Sequence, residues 1–292
     1  MLPIDAPLVA TLVAEQFPQW QHLPIKEVVP NGWDNRTFRL GNEMLVRLPS
    51  RQEYAAQVAK EQKWLPLLAP HFSLPIPEPI ATGQPCQEFT WHWSIYRWLP
   101  GTSANMLPRE ELDLHNIATQ LGTFLNQLHA IDSTQGPEPG SHNYHRGAHP
   151  SFYNEQTTGL IDTMLNGDDK KQAHKVWQKA LTSTWQQPPV WIHGDLYPSN
   201  ILCLNGRLSA VIDFGCMGVG DPACDLVAAW VLLDTKSTEQ LKSMIDLDQG
   251  TWDRARGWAL WKALIQLKTV AARDTNDADE QKRIIQTILN EQ

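Results

Sequence analysis

His193-Gly194-Asp195-Leu196-Tyr197-Pro198-Ser199-Asn200, followed by Ile212-Asp213-Phe214-Gly215, decides how this chain is read. Between the two runs lie two apolar segments, Ile201–Leu204 and Leu208–Ile212, joined by Asn205-Gly206. Asn-Gly tolerates positive φ at both central positions of a tight turn, so the segments predict a β-hairpin. Such a hairpin makes Asn200 and Asp213, at its far ends, neighbours. One amide oxygen and one carboxylate then converge beside a third group, Asp195.

Apart from Gly194, the first run follows the H-x-D-L-x-x-x-N pattern of a kinase catalytic loop, and the second follows the D-F-G metal-binding turn. Each alone is weak; both in this order, joined by a hairpin, are specific. Oxygen ligands few in number suit Mg²⁺, which binds through one or two carboxylates plus phosphate oxygens. In phosphoryl transfer the protein mostly positions groups and neutralises charge. Asp195 is therefore expected to accept a hydrogen bond from an acceptor hydroxyl, with Asn200 and Asp213 as the metal ligands. His193 reads as a structural anchor of the loop. No G-x-x-x-x-G-K-[ST] or G-x-G-x-x-G fingerprint is present, which argues against P-loop and Rossmann chemistry.

Composition sets the class. The 292 residues are 42% hydrophobic and 19% charged, enough for a sizeable core in one large domain or two lobes sharing a cleft. The net charge of −8 argues against nucleic acid as a partner, and nearly all of the acidic excess falls in residues 101–292. Ordinary solubility explains that excess; a field favouring a cationic ligand is the less common reading. The four cysteines form no C-x-x-C pair and read as reduced thiols of a cytoplasmic protein. Met1 to Ala14 carries no basic leader, and no apolar window is long enough to span a membrane.

The chain reads as α+β, with residues 1–100 a small β-rich lobe and 101–292 a larger, mainly helical one. Expected in the first are a helix over Pro7–Phe17, strands around Ile25–Val29, Thr37–Leu40 and Glu43–Leu48, a helix over Glu53–Leu68 and a strand over Trp91–Leu99. Leu74 to Pro79 must be extended, because each X-Pro pair disfavours the helical region. Pro100-Gly101 is the expected hinge. Beyond it, Leu114, Ile117, Leu121, Leu125 and Leu128 mark one helical face, and further helices are expected around Ser151–Leu165, Lys171–Thr182, Asp225–Leu233 and Trp252–Ala272.

With these motifs the chain resembles the aminoglycoside phosphotransferase family, which has a protein-kinase-like two-lobe fold. The resemblance is carried by His193–Asn200, Ile212–Gly215 and Gly220-Asp221-Pro222-Ala223-Cys224-Asp225-Leu226. It extends to Gly32-Trp33-Asp34-Asn35, Val46-Arg47-Leu48-Pro49, Tyr96-Arg97-Trp98-Leu99-Pro100-Gly101 and Arg256-Gly257-Trp258-Ala259-Leu260-Trp261-Lys262. Gly194, where most protein kinases have arginine, is similar to that family. The resemblance implies Mg²⁺-dependent transfer from ATP or GTP to the hydroxyl of a small molecule, such as an aminoglycoside, with antibiotic resistance as one setting. Asn31 to Thr37 would lie over the phosphates. Arg47 stands where the family often has lysine, with Glu61 to pair it; arginine keeps the charge but adds a fork of donors. Arg97, Trp98 and Leu99 would meet the base through their backbone. Acceptor contacts would come from C-terminal helices, with Trp258, Trp261 and the acidic run Asp274–Glu280 as candidates.

Other features read as structural. Asp221 precedes Pro222 at a turn, and Asp225 is expected to cap a helix. His142, His145 and His149 share a loop but fit no common zinc spacing. A protein Ser/Thr kinase is disfavoured because no A-P-E segment follows Asp213 and few residues separate Gly215 from the Asp221 turn. A nucleotide-binding protein without turnover is disfavoured because Asp195, Asn200 and Asp213 are all present.

Overall fold

Asp5 begins the first helix: its Oδ1 accepts from the Leu8 N–H at 3.0 Å, and Pro7 sits in the first turn, where a missing N–H costs nothing. The computed structural model describes residues 3–32, 34–270 and 275–291, with backbone only for Thr275 and Asn276. It divides into two units, Met1–Gly101 with Ser209–Gly215, and Thr102–Leu208 with Cys216–Gln292. The Asp213 turn thus belongs to the first unit, although it lies far along the chain.

The first unit holds α1 (Ala6–Gln16), β1 (Ile25–Glu27), β2 (Asn35–Leu40), β3 (Met44–Pro49), α2 (Gln52–Leu68), β4 (Pro79–Gly83) and β5 (Trp93–Arg97). The strands form one antiparallel sheet in the order β1-β2-β3-β5-β4. Alternation along the strands puts Phe38, Leu40, Val46, Leu48, Trp93 and Ile95 into one core with Leu8, Val9, Leu12 and Val13 of α1. Each such side chain, fully buried, contributes about 1.5–3 kcal/mol. The intervening position on β3 is Arg47, which pairs in register with Thr37 and Ser94. From α2, Tyr54, Val58, Glu61, Leu65 and Leu68 are buried.

β4 was not expected from sequence. Pro79 opens it and cannot donate to a ladder, which an edge strand tolerates. Asn31 organises the β1–β2 connection: its Oδ1 accepts from the N–H of Gly32 (3.0 Å) and of Thr37 (2.8 Å). Trp33, within that connection, lies outside the described residues.

The second unit contains β6 (Thr102–Ser103), α3 (Leu114–His129), α4 (Asn154–Met164), α5 (Gly167–Leu181), β7 (Val190–Ile192), β8 (Ile201–Leu204), the start of β9 (Arg207–Val211), β10 (Gly218–Gly220), α6 (Ala228–Val231), α7 (Thr235–Met244), α8 (Gln249–Val270) and α9 (Thr275–Asn290). Asn205 and Gly206 both have positive φ, as the turn after β8 demands. β7 pairs with β10, and β6 with β8. α8 packs against α4, α5 and α9 and buries Trp252, Trp258, Leu260, Trp261 and Leu264.

One expectation needs correction here. The helix expected over Asp225–Leu233 is a 3₁₀ turn, Pro222–Val227, followed by the single helical turn α6; every residue from Asp221 to Leu233 is buried, so tertiary packing overrides the helical pattern. The described part of the acidic run lies within α9, which Ile284, Ile285, Ile288 and Leu289 anchor. Among the described residues, no helix is long and apolar enough to cross a membrane.

Candidate active site

In the second unit, β7 ends at Ile192 and delivers His193 and Gly194 into a buried bend. Gly194 has φ +82°, and a Cβ there would lie 2.3 Å from the carbonyl oxygen of Cys216. Only glycine fits, which accounts for the departure from the kinase arginine. The fully buried Asp225 grips this bend: Oδ2 accepts from the His193 N–H and Oδ1 from the Gly194 N–H, both at 2.7 Å. Asp225 therefore does not cap a helix. That role falls to Asp221, whose Oδ1 accepts from the Ala223 N–H at 3.0 Å. Burial pushes the Asp225 carboxyl upward, while His193 and the two N–H groups oppose the rise. The Arg146 Nε donates to the Gly194 carbonyl at 2.9 Å.

Asp195 follows, and its groups are engaged from several sides. Its N–H donates to His193 Nδ1 at 3.2 Å, consistent with His193 as an anchor of the loop. The Asn200 amide donates to the Asp195 carbonyl (2.9 Å) and to Oδ2 (3.2 Å). Lys262 Nζ, from α8, donates to Oδ1 at 2.6 Å. Burial raises the Asp195 carboxyl, but Lys262 and then Arg146 outweigh it and leave the group below its usual range.

A shallow concavity lies beside this carboxylate, lined by Arg146, Asp195, Tyr197, Trp258, Trp261 and Lys262. The Arg146 guanidinium lies 4.5 Å from the Trp261 ring centre and 5.3 Å from that of Trp258. Tyr153 packs on Trp261 at 4.5 Å. Among the described residues, the buried Trp258 Nε1 has no hydrogen-bond partner. Trp258 and Trp261, the expected acceptor residues, thus wall the space that Asp195 faces. The sequence alone gives Arg146 and Lys262 no role. The available signal for Lys262 was a charge within an apolar helical run, Ala259-Leu260-Trp261-Lys262-Ala263-Leu264; Arg146 gave none.

In the first unit, Arg47 joins two carboxylates. Its Nη1 donates to Glu61 Oε1 (3.0 Å) and Oε2 (3.2 Å), and its Nη2 donates to Asp213 Oδ1 in a short contact. Glu61 also accepts from the Tyr96 hydroxyl at 2.6 Å, and burial, then Glu61, push that phenol well upward. Asp213 has φ +65°, a strained backbone for a non-glycine residue, so its side chain is aimed at a cost. The N–H groups of Arg97 and Trp98 are already bonded, to the carbonyls of Glu78 (2.9 Å) and Glu43 (2.7 Å).

Asn200 and Asp213, expected as metal ligands, lie in different units. Their donor chemistry fits Mg²⁺: Asn200 uses Nδ2 for Asp195 and keeps its amide oxygen as a ligand atom, while Asp213 offers a second oxygen beyond the one facing Arg47. The remaining candidates separate from the site's chemistry. Asp279 and Glu280 pair with Lys282 (2.9 Å) and Arg283 (2.6 Å) on the surface of α9. Asp277 is an exposed first-turn acid, and Asp274 lies outside the described residues. His142 contacts the Glu138 carbonyl, His149 the Ser151 hydroxyl, and His145 stacks on Phe152.

The sequence pattern of the phosphotransferase enzyme family matches residues 27–258. YcbJ, an uncharacterized protein of Bacillus subtilis (strain 168), is 24% identical over 221 residues, 70% of this chain and 68% of its own. Among solved structures, the GDP and kanamycin complex of an APH(2″) enzyme superposes with a TM-score of 0.74 at 22% identity, covering 96% of this chain and 97% of the other. The macrolide 2′-phosphotransferase MphH from Brachybacterium faecium gives 0.65 at 21%, covering 99% of both. At these identities the structural likeness establishes the fold: a small antiparallel-sheet lobe and a helical lobe of the kinase-like kind.

Proposed function

The chain belongs to the phosphotransferase enzyme family, and from that premise we propose that it transfers the γ-phosphoryl group of ATP or GTP to a hydroxyl of a small molecule. The observation that carries the reading is the Asp195 carboxylate, fixed by Lys262 and Asn200 and facing a concavity with tryptophan walls. Asp195 accepts the hydrogen bond of the acceptor hydroxyl and orients its oxygen for in-line attack. Held below the usual carboxylate range, it remains ionised at neutral pH and orients rather than fully deprotonates.

Asn200 and Asp213 would each offer an oxygen to Mg²⁺, which would offset the negative charge of the nucleotide phosphates. Arg47 serves the phosphates in place of a lysine, positioned by Glu61 through two hydrogen bonds. Since the Arg97 and Trp98 N–H groups have partners, the base is met by the Leu99 N–H and by carbonyls of Arg97 to Leu99.

The flat rings of Trp258 and Trp261 suit a sugar face or an apolar ring. Kanamycin and macrolides, named with the structural relatives, are therefore the first acceptors to test, and antibiotic resistance and a cytoplasmic setting the first roles. The test is acceptor-dependent phosphorylation by the purified protein with Mg²⁺ and ATP or GTP, beside Asp195→Ala. Turnover that an acceptor stimulates and the variant loses supports the reading. Tight nucleotide binding without turnover on any acceptor overturns it.

A further inference from the structure

α8 carries a lysine where its sequence is otherwise apolar, and about a fifth of that side chain remains exposed. The helix does not need Lys262 for anchorage, because Trp258, Trp261, Leu264 and Leu267 bury its faces. The ammonium instead reaches Asp195 Oδ1 at 2.6 Å and lies 5.2 Å from the Tyr197 ring. One turn further along α8, Gln266 Oε1 accepts from the Tyr197 hydroxyl at 2.6 Å. A single helix therefore holds the Asp195–Tyr197 segment at two points.

A carboxylate on a loop can rotate about its χ angles, and rotation moves the lone pairs that must receive a hydroxyl. Here each oxygen has one fixed partner, Lys262 on Oδ1 and the Asn200 amide on Oδ2. Each oxygen retains further acceptor capacity, since an ionised carboxylate offers about four lone-pair sites. Charge adds a second requirement. A carboxylate that orients the attacking hydroxyl stands near an anionic phosphoryl group, and the two repel. A cation bonded to the carboxylate relieves that repulsion at the point of transfer.

We propose that Lys262 is a positioning residue for phosphoryl transfer: it clamps Asp195 through Oδ1 so that the remaining lone pairs meet the acceptor hydroxyl. This rests on the reading of Asp195 given above. It gives the lysine a role in turnover and none in nucleotide binding.

The experiment compares Lys262→Gln and Lys262→Arg with the parent protein. MgATP and MgGTP are the nucleotides, and kanamycin, a macrolide and water the acceptors; thermal melting checks folding. The expected result is a kcat lower by about 10- to 100-fold in Lys262→Gln, the scale of one charge-assisted hydrogen bond. The KM for nucleotide stays unchanged, and Lys262→Arg recovers part of the loss. A folded Lys262→Gln protein with parental kcat overturns this inference and leaves the reaction class standing. So does a loss confined to nucleotide KM, or an arginine that restores nothing. A parent with no turnover on any acceptor overturns the reaction class itself.

Discussion

The guanidinium of Arg254 takes both carboxylate oxygens of Asp221, Nε to Oδ2 at 2.6 Å and Nη2 to Oδ1 at 3.3 Å, with 1% and 5% of the two side chains exposed. Asp221 also accepts from the Ala223 N–H, and its own N–H donates to the Gly147 carbonyl at 2.8 Å. The pair therefore ties α8 to the turn that presents Asp225 to the His193–Gly194 bend.

Asp221→Ala should leave the Arg254 charge buried with the Ser183 and Thr251 hydroxyls as its partners among the described residues. Breaking a buried pair from one side costs about 3–5 kcal/mol. The expected outcome is a lower denaturant midpoint with an unchanged slope. The double variant Asp221→Ala with Arg254→Met should recover much of the loss, because both charges are gone. A single variant as stable as the parent would contradict the burial argument.

Asp225→Asn keeps shape and removes charge. An amide has one acceptor oxygen, so one of the two N–H groups, of His193 or Gly194, must face an NH₂ group. An unsatisfied buried donor costs about 1–3 kcal/mol. The bend that precedes Asp195 should shift, and kcat should fall while nucleotide affinity holds. Steady-state kinetics beside nucleotide titration check both parts.

Arg47→Lys tests the fork. Arginine reaches Glu61 with Nη1 and Asp213 with Nη2 at once, which one ammonium on a shorter stem does less well. The expected outcome is a raised KM for nucleotide, a smaller change in kcat, and a lower melting temperature as Glu61, 3% exposed, loses part of its pairing. An unchanged KM for both ATP and GTP would remove Arg47 from the phosphate site.

Much of this was legible in the sequence, for identifiable reasons. β2, β3 and α2 were readable because turn residues bound short apolar alternations and a helical period. Asp195, Asn200 and Asp213 stand out as candidates because a local motif fixes their spacing, and their roles belong to the proposal. What failed depends on distant partners. β4 exists because β5 offers an edge, and Pro79 masks it. Asp225–Leu233 reads as one helix, but in the buried segment a 3₁₀ turn runs to Val227 and only Ala228–Val231 is α-helical. Asp225 looks like a cap until the fold places His193 and Gly194 against it. Lys262 and Arg146 reach Asp195 from 67 and 49 residues away along the chain, a juxtaposition no local pattern encodes.

His129 predicts an acid limit to stability. Burial at the end of α3 lowers its pKa from 6.5 to about 4, and its Nε2 has no partner among the described residues. The folded protein prefers the neutral ring, while the unfolded chain protonates it below its ordinary pKa. Stability is therefore full above about pH 6.5 and falls progressively toward pH 4, by at most about 3 kcal/mol. His129→Gln should flatten that part of the curve. A parental curve with no decline between those values would refute the assignment.

The pair of Lys262 and Asp195 makes the last prediction, which concerns rate against pH. Burial raises the Asp195 carboxyl, and Lys262, Arg146 and His193 lower it further than burial lifts it. Asp225, also close, is held by two main-chain N–H groups and acts in the opposite sense. The acid limb of kcat/KM should thus lie below the ordinary carboxylate range in the parent. Removing the ammonium in Lys262→Gln deletes the largest lowering influence while burial remains, so the limb should move to higher pH. Lys262→Arg keeps a cation and should hold it near the parental position. A helix that merely lost an anchoring contact would lower stability without moving the limb. Parallel profiles for all three proteins would assign Lys262 to the scaffold, whereas a limb that moves only when the cation is lost assigns it to Asp195.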